Sequence, residues 1–335
     1  MDMLIGLGLL FVVLVIFSLF SMKAPFGQKA MSGLADAAVA SFLVEAIHMF
    51  ILGDALGIPF FYEVGHLSGS FGGIAACALV SLNMGASPVM AISAGIALGN
   101  FGILPGFIAG YAIGFIAPLI EKKLPEGVNV IFGALFCAAF AHLVAMLVNP
   151  AVTKALEFVG GAIIVAAEQQ PVVMGILLGG IMKIICTAPL SSMALTAMLG
   201  LTGLPMGIAA IACVGGAISN GVVLARMGYG NRGNVIAVML EPLTQAVIVT
   251  SHPLPIYTGS FVGGACGGLA AALLGVINNA PGTASPIPGL LAPLAFNPPS
   301  KVLLAAGIAI VCGFIGGQLV SIFYKNLEKR TGKAL

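Results

Sequence analysis

The sequence predicts an all-α polytopic membrane protein, and three observations carry that prediction. Hydrophobic residues make up 60% of the 335 positions, charged residues only 7%, and the apolar residues gather into runs of membrane-crossing length. Soluble domains carry about 25% charged residues, so a chain this poor in charge lacks the side chains to cover a water-facing surface. Its 46 glycines and 19 prolines suit packed and interrupted membrane helices, since glycine lets backbones approach and proline breaks the hydrogen-bond ladder. Trp is absent, which leaves Tyr62, Tyr111, Tyr229, Tyr257 and Tyr324 as interfacial anchors.

The opening run, MDMLIGLGLLFVVLVIFSLFSMK, is too long for a signal peptide and has no basic residue ahead of it, so it reads as a retained first span. Further apolar runs near 34–53, 67–83, 89–120, 128–148, 172–186, 204–225, 233–250, 257–277 and 300–324 bring the expectation to about ten membrane segments in one domain covering 1–335. Residues 149–171 carry Lys154, Glu157 and Glu168 around a modest apolar core and read as an amphipathic linker between scaffold and transport bundles.

Two stretches interrupt the pattern. NFGILPG at 100–106 and NNAPGTASPIPGLLAPLAFNPP at 278–299 mix turn formers with apolar residues and read as re-entrant or unwound. Charge supports this reading. Basic clusters at Lys23/Lys29, Lys122/Lys123, Arg226/Arg232 and Lys325/Lys329/Arg330/Lys333 all suit the cytoplasmic side. Ten simple crossings cannot place all four there unless an element within 67–120 and another within 257–324 enters and leaves on one face.

The halves also echo each other: GFIAG at 106–110 precedes EKK at 121–123, as GFIGG at 313–317 precedes EKR at 328–330. The echo fits either an internal repeat or the common ending of cytoplasmic helices. Ladders such as Gly106/Gly110/Gly114 and Gly263/Gly264/Gly267/Gly268 are expected to serve helix packing.

Polar groups at membrane depth require a reason. Glu241 follows VIAVML and opens EPLTQAVIVTSHPLP; a carboxylate there is costly unless paired or hydrated, and its alternative is a helix end near the interface. Gln245 lies four residues on, and His252 precedes a proline that takes the chain out of helix. The stretch KIICTAPLSSMALTAMLGLTG is broken at Pro189 and offers the Thr187, Ser191 and Ser192 hydroxyls. Lys183 at its head either meets an acid or anionic substrate, or snorkels. Asn220 in GGAISNG adds an amide, and Glu45 and His48, three apart, form either an inward pair or an interfacial stripe.

No phosphate loop, nucleotide-binding domain or clustered nucleophile is visible, and Cys77, Cys137, Cys186, Cys213, Cys266 and Cys312 lack metal-ligand spacing. The residues therefore imply no cofactor, no metal, no catalytic residue and no nucleic-acid partner. Expected partners are the lipid bilayer and a small polar substrate.

The stretches TAPLSSMALTAMLGLTG, ARMGYGNRGNV and EPLTQAVIVTSHPLPIYTGSFVGG resemble membrane subunit IIC of the bacterial phosphotransferase system. The resemblance spans roughly 90–325 and points to the fructose-type superfamily, closest to the branch that includes the perfringolysin regulator. It implies a dimeric permease of the bacterial cytoplasmic membrane that presents sugar to phosphorylating IIA and IIB partners; this chain lacks those domains, which are either separate proteins or absent. In the family pattern a Glu precedes an Asp-Pro-Leu turn; here that turn is His252-Pro253-Leu254, and Glu241 stands two residues earlier than the pattern puts it. The expected function is a permease for a sugar or related metabolite working by alternating access, with Glu241, Gln245, His252, Thr187, Ser191, Ser192, Lys183 and Asn220 as substrate contacts. The competing class is a membrane sensor or regulator that binds a metabolite without moving it.

Overall fold

The computed structural model describes residues 2–125, 127–188, 190 and 192–331. Every regular element among them is helical. The first half begins with α1 (Asp2–Lys23) and α2 (Gly27–Ala38). The latter continues as wide, i→i+5 turns over Val39–Leu43 and Ala46–Ala55. There follow α3 (Pro59–Ser70), α4 (Gly72–Met84), the short α5 (Pro88–Ile96), α6 (Ile103–Lys123) and the 40-residue α7 (Val128–Ala167). The second half holds α8 (Pro171–Thr187), α9 (Ser192–Met198), α10 (Gly203–Met227), α11 (Arg232–Leu240), α12 (Ala246–Ser251), α13 (Pro253–Leu274), α14 (Pro286–Leu291) and α15 (Pro299–Thr331).

Glycine decides how tightly the second-half core closes. Gly268 of α13 lies against the Gly175 carbonyl of α8, so a side chain at either would drive the two backbones apart. The α6 ladder packs likewise, Gly106 on Gly73 and Gly110 on Cys77 of α4. Both ladders therefore serve helix packing. The six cysteines are free, four of them buried.

Among the described residues, the four basic clusters, Lys333 aside, converge on one end of the bundle. Phe26, between Lys23 and Lys29, meets Phe115 of α6 edge-on at 5.7 Å, two turns before Lys122. Tyr324, next to Lys325, shares a 2.9 Å hydrogen bond with Thr258 near the start of α13. Tyr229, between Arg226 and Arg232, stacks on His252 at 3.8 Å. Met22 and Leu254 line one groove between α1 and α13, which joins the two halves at this basic face.

With that face as reference, the count of about ten crossings needs correction. Among the described residues six helical stretches are long and apolar enough to cross a membrane: Gly27–Asp54, α6, α7, α10, α13 and α15. A seventh arises if α3 and α4, bent by 58°, form one broken span. Hydropathy overcounts because apolar half-helices look like crossings. The run at 233–250 splits at Glu241 into nine-residue α11 and six-residue α12, separated by a 3-10 turn. Residues 149–167 continue α7 through Pro150, and α7 touches α1 and α8 as well as α5 and α6.

Three hairpins enter the second half without crossing it. The α11–α12 hairpin rises from the basic face and returns to it at His252. Nine residues rise about 14 Å, roughly half of a ~30 Å hydrocarbon core, so its tip at Glu241 stands near mid-depth. The segment between α13 and α15, containing α14, dips in from the opposite end, with Gly289 against the Ala210 backbone of α10. This is the 278–299 stretch expected to be re-entrant. The third hairpin is α8–α9, which turns back after Thr187.

Candidate functional site

The tips of two hairpins meet at Glu241. The α11 helix starts with a reciprocal cap, Asn231 and Asn234 each accepting the other's backbone N–H at 3.1 and 2.8 Å, and it stops where Pro242 follows Glu241. Glu241 takes extended dihedrals (φ −148°, ψ 104°), which turn its carboxylate into the bundle, where it is 3% exposed. Ser285, just before α14 on the opposite hairpin, donates its hydroxyl to Oε2 at 2.6 Å, and the Leu243 amide approaches Oε1 at 3.4 Å. Glu241 is thus a buried carboxylate at a helix end with a specific hydrogen-bond partner.

Lys183 does not snorkel. It is fully buried, and its stem lies over Gly216, midway along α10, and Gly264, midway along α13. These glycines leave the groove that a four-carbon chain needs. Its Nζ lies 3.9 Å from Cys186 Sγ and within electrostatic reach of Glu241. One turn further, Thr187, Asn220 and Ser260 from α8, α10 and α13 form a closed cluster. Asn220 Nδ2 donates to Thr187 Oγ1 at 3.0 Å, and Ser260 Oγ lies 2.9 Å from Asn220 Oδ1 and 3.1 Å from Thr187 Oγ1. All three are fully buried, which three helices can tolerate because each polar atom finds another.

The remaining expected contacts lie elsewhere. Gln245 does not share a helical face with Glu241, because the helix ends between them; its Oε1 accepts from Asn234 Nδ2 at 2.7 Å instead. His252 sits at the basic face against Tyr229. The Ser192 hydroxyl is committed to the Ala284 carbonyl, and Thr196 Oγ1 accepts from the Gly282 amide at 3.2 Å. These bonds knit α9 to the opposite hairpin as a wall. Pro189 and Ser191 lie outside the described residues.

Beyond the wall is a cavity of two lobes, about 320 and 290 Å³, which share Phe42, Gly69 and Ser70. Leu190, Met193, Leu195 and Gly282 face it from the wall side. Glu45 and His66 line the smaller lobe, Asn149 and Thr153 the larger. His48 instead bonds its own helix, with Nδ1 3.1 Å from the Val44 carbonyl, so it does not form the inward pair with Glu45.

Sequence reasoning missed Ser260, Ser285 and the Glu45 cavity. Ser285 carried a usable signal, a serine before proline inside a stretch already marked as re-entrant.

Residues 28–334 match the protein family described as "Phosphotransferase system, EIIC". The chain belongs to that family. The match takes in the second segment as well as the 90–325 stretch in which the resemblance is visible by eye. No curated protein and no solved structure matches the chain. This EIIC-type permease is accordingly a multi-pass protein of the bacterial cytoplasmic membrane, built to carry a small polar metabolite.

Proposed function

We propose that the permease carries a sugar or related hydroxylated acid by alternating access, with Glu241 as the principal substrate contact. The observation that carries this reading is the Glu241–Ser285 hydrogen bond, which joins a hairpin from the basic face to one from the opposite face at mid-depth. A substrate hydroxyl can replace Ser285 Oγ on the carboxylate without leaving a buried charge bare, because hydroxyl-to-carboxylate bonds are of one kind on either side of the exchange. Lys183 offers donors beside it, and Thr187, Asn220 and Ser260 offer hydroxyl and amide partners on the way to the basic face. In this scheme the wall of α9 and 278–285 moves, His252 guards the basic end with Tyr229, Gln245 braces the hairpin through Asn234, and Ser192 belongs to the wall.

The family supports further steps. A homodimer would fix a scaffold, and residues 149–171 would join that scaffold to the moving bundle. Separate IIA and IIB proteins would phosphorylate the sugar at the basic face. The likeness of 187–203 to the fructose-type branch favours a sugar over a purely ionic metabolite.

Uptake by proteoliposomes tests the reading. Glu241→Gln keeps shape and loses the charged acceptor, and a charge-assisted bond contributes about 1.5–3 kcal/mol, so uptake of the preferred compound among neutral sugars and sugar acids should fall at least about tenfold. Unchanged uptake by the correctly inserted variant would overturn the assignment. Binding by the wild type without any uptake would instead favour a sensor.

A further inference from the structure

We infer that the two-lobed cavity between the α3–α4 bend and the α9 wall is a second binding site, for a neutral polyhydroxylated molecule, on the side away from the basic face. The inference rests on the transport reading only in taking that molecule to be the one carried.

Four polar side chains with free hydrogen-bonding capacity line the cavity, two in each lobe. Among the described residues, the half-buried Glu45 carboxylate and Asn149 amide and the exposed Thr153 hydroxyl and His66 ring form no hydrogen bond, although all four line it; the His66 ring stacks on Tyr62. A half-buried carboxylate within a membrane protein ordinarily has a partner, which Glu45 lacks among the described residues. Gly69 is what admits the carboxylate: a Cβ built there would strike the Glu45 carboxyl atoms. Glu45 also sits between the two stretches of i→i+5 turns, an irregularity that recurs at functional sites.

The lining selects a chemical class. Glu45 accepts hydrogen bonds from hydroxyls, Asn149 and Thr153 both donate and accept, and Phe42 supplies an apolar face. Among the described residues no Lys or Arg lines either lobe, so an anion would meet a carboxylate without a fixed cation. The site thus differs from the Glu241 centre, which has Lys183 within electrostatic reach.

The chain contains no Trp, so Phe42→Trp would install a sole indole in the cavity wall. The full-length protein in nanodiscs would be titrated with neutral hexoses, hexitols and the matching uronates. Saturable quenching by at least one neutral compound is expected, weaker binding by its uronate, and the same affinity after Glu241→Gln. Adding Glu45→Gln or Gly69→Ala should weaken binding about tenfold or more. Thermal stabilisation of the chain with native Phe42 by the same compounds, lost in Glu45→Gln, reads the same site should the indole disturb packing. Quenching and stabilisation that vanish with Glu241→Gln but survive Glu45→Gln would overturn the inference, as would uptake of a neutral compound that gives neither signal. Binding at the cavity with no uptake would leave this site standing and defeat the transport reading instead.

Discussion

Two carboxylates sit inside this bundle in opposite conditions. Glu241 is sealed, with a serine hydroxyl on one oxygen, a backbone amide approaching the other and a lysine in electrostatic reach. Glu45 has a cavity before it and no hydrogen-bond partner among the described residues. A satisfied buried acid holds structure together and must be unmade before it can bind; an unsatisfied one is ready to bind and holds little together. The wall formed by α9 and 278–285 separates the two states, and in the transport scheme its movement lets the Glu45 cavity feed the Glu241 site.

The contrast is sharpest in stability. Ser285→Ala would leave Glu241 short of a donor in a closed site, at a cost of about 1–3 kcal/mol, readable as a lower midpoint in detergent thermal denaturation. Glu45→Gln should leave that midpoint nearly unchanged. Equal effects of the two substitutions would erase the distinction drawn here.

A smaller effect concerns charge. Lys183→Met keeps the length of a stem held by Gly216 and Gly264 and removes the cation beside Glu241. Competition for uptake by a uronate should weaken about tenfold relative to its neutral hexose, equivalent to about 1.4 kcal/mol. Unaltered competition would remove Lys183 from the substrate path.

Much of this was legible from residues close together in the chain. Glu241 after an apolar run marked a carboxylate at membrane depth, with a helix end near the interface as its alternative. The turn formers at 278–299 marked a re-entrant stretch, and small-residue ladders marked the tight helix pairs. What escaped was long-range or geometrical. Ser285 reaches Glu241 across 44 positions, and Ser260 completes a cluster whose other members lie on two further helices. The segment count failed because α11 and α12 are as apolar as halves of a crossing. The openness around Glu45 depends on wide helical turns and on Gly69 from a neighbouring helix, neither of which has a periodic signature. Lys183 looked able to reach the interface until the glycines midway along α10 and α13 located it.

The central claim is that the wall opens during transport, and a reversible clamp tests it most directly. Ser192 donates to the Ala284 carbonyl, so Ser192→Cys with Ala284→Cys places a thiol on each side of that contact. In proteoliposomes, oxidation should stop uptake and reduction should restore it, while binding to the Glu45 cavity persists in both states. Full uptake by protein shown to be completely crosslinked and folded would contradict the account.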